Sequence, residues 1–320
     1  MAPADVSVVV PVWNDFERLR SCLEGLARQT ARERMEVVVS LDGGDRLPED
    51  LTGMTDLVVH GEHAGPAAAR NRGWRASGGR FILFTDADCV PEENWAEEMT
   101  RVLEKGADAV KGVYSRGGRG IVQRLAQVEF EERYRLLESS PGIDMIDTYS
   151  AGFRKKALEA CGGFDESYPL PDHEDVDLSY RMAEKGFQLR FAPGAKVSHR
   201  HRSSWSDYLR TKHGRGRWRM KVLRKFPKKA GSDSYTPACL RLQIALCPLF
   251  LPALLLVPLS AVPLALLTGG FLLSTVPLAL TAVRHDPVLV PLVPPFALLR
   301  SFALCSGLLR GIFGSEKEAE

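Results

Sequence analysis

Two pairs of carboxylates, each pair spaced one residue apart, stand out for the chemistry their types and spacing allow in this 320-residue chain. Asp86-Ala87-Asp88 follows a short apolar run. Two carboxylates so placed in a loop hold a hard divalent cation, and a diphosphate supplies the further oxygen ligands such a cation needs. A diphosphate with its metal is a good leaving group. The second pair, Asp175-Val176-Asp177, lies in His173-Glu174-Asp175-Val176-Asp177-Leu178, where Val176 and Tyr180, with Leu178 and Met182, recur at helical spacing. It opens a helix rather than ending a strand. A carboxylate there accepts the proton of an incoming hydroxyl if the fold aims it at the metal. The plainer alternative is capping, with Asp172 as N-cap and Glu174 and Asp175 complementing the helix dipole. Chance alone supplies roughly one D-x-D in a chain this rich in Asp, and here there are two.

The elements that must position these residues are legible from periodicity. Val6 to Val12 is a β-branched run of the kind a buried parallel strand shows, and Phe16, Leu19, Leu23 and Leu26 then recur at helical spacing. Strand-like Met35 to Leu41 ends in Asp42-Gly43-Gly44. Leu57 to Val59, a helix from Pro66 to Ser77 and strand-like Phe81 to Phe84 follow. This alternation predicts an α/β domain, a mostly parallel sheet with helices on both faces, whose ligands bind at the carboxyl ends of the strands. Pro11, Trp13 and Asn14, then Asp42, then Asp86 and Asp88 fall at those ends and converge on one rim. Trp13 offers a face for stacking on a base. Each has a duller reading: Trp13 as core at the sheet edge, Asp42 as an Asp-Gly turn, Arg70 as a solvated charge on a helix.

Lys and Arg number 42 against 40 Asp and Glu, a formal net charge of +2 that argues against a dedicated nucleic-acid binder. The average conceals a basic collar: Arg210 to Lys229 holds ten Lys or Arg and no acid, leaving 32 basic residues against 40 acidic elsewhere. Beyond it, Leu242 to Val283 runs 42 residues without a charge, enough for about two helical crossings of a 30 Å core. Spans near 242–261 and 264–283 fit best. A third stretch, 288–309, is interrupted by Pro291, Pro294, Pro295 and Arg300; a kinked span, a re-entrant segment and an interfacial helix all remain open. The collar places its side in the cytoplasm. The six cysteines form no C-x-x-C pair, so neither a disulfide framework nor a zinc site is suggested. The N-terminal apolar run is too short for a signal peptide or a span.

The order VVVPVWND, SLDGGD, GPAAARNRGWRASGGRFILFTDAD, GGFDE with HEDVDLSYR, and AKVSHRH resembles the successive motifs of the family 2 glycosyltransferases, over about residues 5 to 205. The resemblance implies the GT-A fold and inverting sugar transfer from a nucleotide-sugar donor, assisted by a divalent cation, Mn or Mg. On it, Pro11 and Trp13 contact the nucleotide base, Asn14 fixes the loop and Asp42 recognises the base. Arg70 and Asn71 lie near the nucleotide, and Asp86 and Asp88 bind the metal. His199 occupies the place of a histidine that joins metal and diphosphate, although His199 and His201 also read as structural histidines on one strand face. Of Glu174 and Asp175, the latter resembles the catalytic base.

Two departures matter. The second strand ends LDGGD instead of DDGS, and Gly214-Arg215-Gly216-Arg217-Trp218 stands where processive polymer synthases carry Gln-x-x-Arg-Trp. The expectation is a multi-pass enzyme of the cell (inner/plasma) membrane, with a cytosolic head at 1–209, a collar at 210–237, a membrane region at 238–312 and a polar tail at 313–320. It would add one sugar, or few, to a lipid-linked hydroxyl acceptor. The alternatives are a catalytically silent membrane scaffold that binds nucleotide, and a nucleotidyltransferase.

Overall fold

The computed structural model describes residues 5–314 apart from Pro169 and Pro171, with only the backbone of Arg116. Residues 1–4 and all but the first two residues of the expected tail lie outside it. The N-terminal half follows the periodicity closely. Strands β1 (Val6–Val12), β2 (Met35–Asp42), β3 (Leu57–Gly61) and β4 (Phe81–Phe84) alternate with helices Phe16–Ala27 and Pro66–Ala76. Consecutive residues of β1 and β2 are buried regardless of parity, so both faces of the sheet are covered, as a parallel sheet requires. Pro66 occupies the first helical turn, where no N–H is missed, and Gly65 at φ 90° turns the chain into it.

The remaining strands are β5 (Cys89–Pro91), β6 (Ala109–Arg116), β7 (Ala151–Arg154) and β8 (Leu189–His199). They complete an eight-stranded sheet in the order β3-β2-β1-β4-β7-β6-β8-β5. β1 to β4 pair in parallel, as do β6 and β8, whereas β7 and β5 run antiparallel to their neighbours. The sheet is mixed but mostly parallel. Its antiparallel members are three and four residues long, too short to show a period of two.

The chain forms two compact units: residues 1–116 with 137–200, and residues 117–136 with 201–320. The second is helical. Helix Ile121–Glu138 enters it with helix Trp205–Lys225. Three stretches, Ala238–Leu255, Val262–His285 and Pro287–Phe313, are long and apolar enough to cross a membrane. Val122, Leu125, Tyr208, Leu278, Leu289 and Phe296 belong to one buried cluster. The third stretch is helical despite its prolines because Pro294 and Pro295 open helix Val293–Phe313 and Pro291 falls in the 3-10 turn Pro287–Leu292 ahead of it.

Candidate active site

The rim begins where β1 ends. Trp13 is 58% exposed, which excludes a core role, and its ring stacks on His63 at 4.5 Å between centroids. Asn14 adopts φ 53° and its Oδ1 accepts from Asp45 N at 3.0 Å. Gly44 must be glycine here: φ is +78°, and a Cβ would stand 2.1 Å from Asn14 Oδ1. Pro11 is half-buried in β1, paired with Ser40 of β2.

Asp42, at the end of β2, does more than close a turn. Its buried carboxylate accepts from Ala64 N (3.1 Å), Gly65 N (2.9 Å) and Arg72 Nη2 (3.1 Å), and faces His63 Nδ1 at 2.9 Å. These four partners match the acceptor capacity of one carboxylate, so Asp42 fixes the lead-in to helix Pro66–Ala76. A base that hydrogen-bonded Asp42 would displace a partner, and half-exposed His63 is the one free to move. His63 and Arg72 were not foreseen; their signal was a histidine and an arginine flanking the Gly-Pro helix start.

Arg70 is buried, not solvated. Its Nη2 donates to Asp86 Oδ1 at 2.9 Å and its Nη1 to Glu174 Oε1 at 2.6 Å. Burial opposes the guanidinium's charge, but Asp86 and Glu174 outweigh burial and hold it protonated. Arg70 Nε and Glu174 Oε2 remain buried without a hydrogen-bond partner. Asn71 is fully engaged elsewhere: Nδ2 donates to Phe164 O and Glu166 Oε1, while Oδ1 accepts from Trp74 Nε1 and Phe164 N. It ties its helix to the GGFDE loop.

His199 reaches the rim because β8 pairs antiparallel with β5, setting His199 opposite Cys89 and beside Asp88. Ligand atoms of Asp88, Cys89 and His199 lie within 4.8 Å of one another, and His199 Nδ1 is 3.5 Å from Asp88 Oδ1. Carboxylate oxygen suits Mn²⁺ and Mg²⁺, whereas the imidazole nitrogen favours a transition metal over Mg²⁺. Cys89 fits poorly, because burial pushes its thiol well above the ordinary range and only the thiolate ligates. Burial would raise Asp88, but hydrogen bonding and the charge of His199 hold it below its usual value; burial would lower His199, and Asp88 instead raises it. His201 lies in the second unit, with Nε2 2.9 Å from Gln127 Oε1 and its ring stacked on Phe130.

Helix Glu174–Glu184 brings the second acidic group. Its N-cap is His173 at φ 72°, with no side-chain cap; Asp172, expected to cap, instead pairs with His173 Nδ1 at 2.9 Å. Asp177 is buried against Arg181 Nε at 2.6 Å, and Arg181 donates onward to Gly163 O. Asp175 is half-buried, accepting from Val176 N and Thr148 N. Burial, then the charges of Glu174 and Asp147, raise it to about 7. Asp147 forms an ion pair with Lys111, which is fully buried in β6 and also donates to Tyr149 Oη at 3.3 Å. Lys111 and Asp147 carried no sequence signal, since their pairing depends on tertiary packing.

Residues 7–162 match the model of glycosyl transferase family 2. The chain is 31% identical over 227 residues to the pre-mycofactocin glycosyltransferase of Mycobacterium tuberculosis, covering 65% of this chain and 45% of that relative. It is 29% identical over 210 residues to glycosyltransferase AglE of Haloferax volcanii, covering 58% and 64%. The chain therefore spans between about half and two thirds of these relatives' length. The mannosyltransferase PcManGT from Pyrobaculum calidifontis, solved with GDP-Man and Mn2+, shares the fold at a TM-score of 0.60 and 17% identity, over 99% of this chain and 89% of that one. The matched stretch contains Trp13, Asp42, Arg70, Asp86 and Asp88, and over residues 7–162 the chain matches glycosyl transferase family 2.

Proposed function

We propose that the first unit transfers a sugar from a nucleotide-sugar donor to a hydroxyl acceptor with inversion at the anomeric carbon. One observation carries the reading: a single guanidinium, Arg70, bridges Asp86 of the cation-binding pair to Glu174, the neighbour of Asp175. The two ends of a displacement are thereby held at a fixed separation. Trp13 presents its face to the base and Asn14 shapes the loop beneath it. Asp86, Asp88 and His199 would hold a divalent cation, which supplies positive charge to a leaving diphosphate. Asp175 accepts the acceptor hydroxyl's proton as that oxygen bonds to the anomeric carbon and the bond to the diphosphate breaks. A group titrating near neutrality suits that role, whereas Glu174 is committed to Arg70 and Asp177 to Arg181. Pro11 and Asn71 act by position: Pro11 within β1, Asn71 by holding the GGFDE loop.

The acceptor reading rests on the apolar tail, which favours a lipid-linked hydroxyl, and the basic collar supports a cytoplasmic orientation. Thermal unfolding of the detergent-purified chain against UDP, GDP and dTDP, each with and without Mn²⁺, tests the donor site. A ligand at 100 times its dissociation constant stabilises by about 2.7 kcal/mol. A metal-dependent shift with one nucleotide, absent in Asp88→Asn, is expected; no shift with any of them would favour a silent scaffold. Release of pyrophosphate from a triphosphate would instead indicate nucleotidyl transfer.

A further inference from the structure

The third apolar stretch, Pro287–Phe313, is long enough to cross a bilayer, yet its neighbour is a helix that a bilayer interior rejects. Helix Trp205–Lys225 runs beside Val293–Phe313 in the same direction. Trp205 and Tyr208 meet Phe296, with ring centroids 6.2 and 5.2 Å apart. Further along, His213 Nδ1 lies 2.9 Å from Ser306 Oγ, and Arg224 Nη2 donates to Gly311 O at 2.8 Å. Glycines make the approach this close: a Cβ would stand 2.0 Å from His213 O at Gly307 and 2.3 Å from Leu304 O at Gly216. The stretch Gly214–Trp218, where processive synthases carry their motif, is here part of this helix seam.

A 21-residue helix is about 31 Å long, the thickness of a hydrocarbon core. If Val293–Phe313 crossed, its companion would cross with it, carrying eight Lys or Arg between Arg210 and Lys225, and charges at the bilayer centre are costly. Arg300, midway along the third stretch, faces protein: it is fully buried, donates to Gln243 Oε1 at 2.9 Å and lies 3.9 Å from Glu129 Oε1. The opposite face exposes Leu299, Phe302, Leu309, Ile312 and Phe313, a mostly apolar face that also carries exposed Ser306 and Arg310.

We propose that Val293–Phe313 lies in the membrane plane. With helix Trp205–Lys225 it forms a two-helix shelf whose apolar face rests in the interface and whose basic residues meet anionic headgroups. Only the hairpin of the first two stretches crosses. Its arms are joined by Gln243 Nε2 donating to Ser274 O at 3.1 Å and by Phe250 against Phe271 at 5.9 Å. It carries no charge from Leu242 to Val283 and exposes Leu251, Leu255, Leu259, Leu266 and Leu273 where lipid would cover them. Phe313 therefore stays on the side of the membrane on which Trp205 stands.

The test uses the full chain in vesicles of phosphatidylglycerol and phosphatidylcholine. Phe302→Cys, Leu309→Cys and Phe313→Cys each carry an environment-sensitive fluorophore, measured against the unsubstituted protein, whose own cysteines are buried or half-buried. Nitroxide lipids quench from a shallow or a deep position. All three sites should be quenched more by the shallow lipid, to the same extent. Deep quenching that peaks at Phe302 or Leu309 would overturn the proposal.

Discussion

Asp175 draws its reactivity from where it sits. Burial and the neighbouring charges of Glu174 and Asp147 raise its carboxyl to about 7, from an ordinary value near 3.9. As a base it must be deprotonated, so kcat/KM should rise with pH up to about 7 and level off above. Asp175→Asn should lose about 10²- to 10⁴-fold in turnover, keep its nucleotide-dependent thermal shift and lose that acid limb; near-normal turnover would transfer the role to Glu174. The same raised value has a stability consequence of definite sign. The folded chain binds this proton more tightly than the unfolded chain, so the contribution is complete below about pH 4 and lost as pH rises through 7. At pH 8 Asp175→Asn should be more stable than the parent, and at pH 4 the two should melt together. Paired melting curves at those two pH values check it.

The turn that serves Asp175 depends on a residue one strand away. Lys111, buried in β6, pairs with Asp147, which precedes the 3-10 turn Thr148–Ser150, and Thr148 N donates to Asp175 Oδ2 at 3.4 Å. Lys111→Met removes the cation paired with Asp147 near Asp175 and should move the acid limb upward by several tenths of a pH unit, on the order of 0.5–1 kcal/mol. Adding Asp147→Asn should carry it below the parent's. Groups facing Asp175 are Glu174, Asp147, Arg70 and His173, and both variants leave the other three in place. A limb that stays fixed in both would reduce Lys111 to a packing role. Elements of this kind are hard to read from sequence. β1, β2 and β4 were legible because runs such as VSVVVPV are buried on both faces. β5 and β7 are too brief to show a period, and only their pairing with β8 and β4 brings His199 to Asp88 and the Thr148 turn toward Asp175. Arg70 was placed in the right region, but its burial was hidden because both of its partners are distant in sequence.

Across the whole molecule, motif order made the family legible, while the second unit was legible only as composition. Apolar length does not say which face of a helix meets protein, so Arg300 read as an interruption when it is a member of a buried charge cluster. At its centre Glu129 accepts from Lys212 Nζ at 2.7 Å, Arg133 Nη2 at 2.5 Å and Tyr208 Oη at 2.8 Å, with Arg300 Nη1 at 3.9 Å. Burial would raise Glu129, but the charges of Lys212, Arg133 and Arg300 pull it well below the carboxylate range. Burial in turn lowers Lys212 to about 7 against the pull of Glu129. With Glu132 nearby also drawn on by Arg300 and Arg133, Glu129 faces three buried cations. Removing it strands them, and breaking a buried pair from one side costs about 3–5 kcal/mol. Glu129→Gln should therefore lower the melting temperature in detergent by many degrees. Because the folded value of Glu129 is depressed, its stabilisation is present above the ordinary carboxylate range and is lost as pH falls through it. The gap between parent and variant should accordingly narrow on acidification, and adding Lys212→Met to Glu129→Gln should recover part of the loss at neutral pH. A Glu129→Gln chain that melts with the parent at neutral pH would mean that solvent, not Glu129, compensates these cations, and would remove the argument that Arg300 is held by protein.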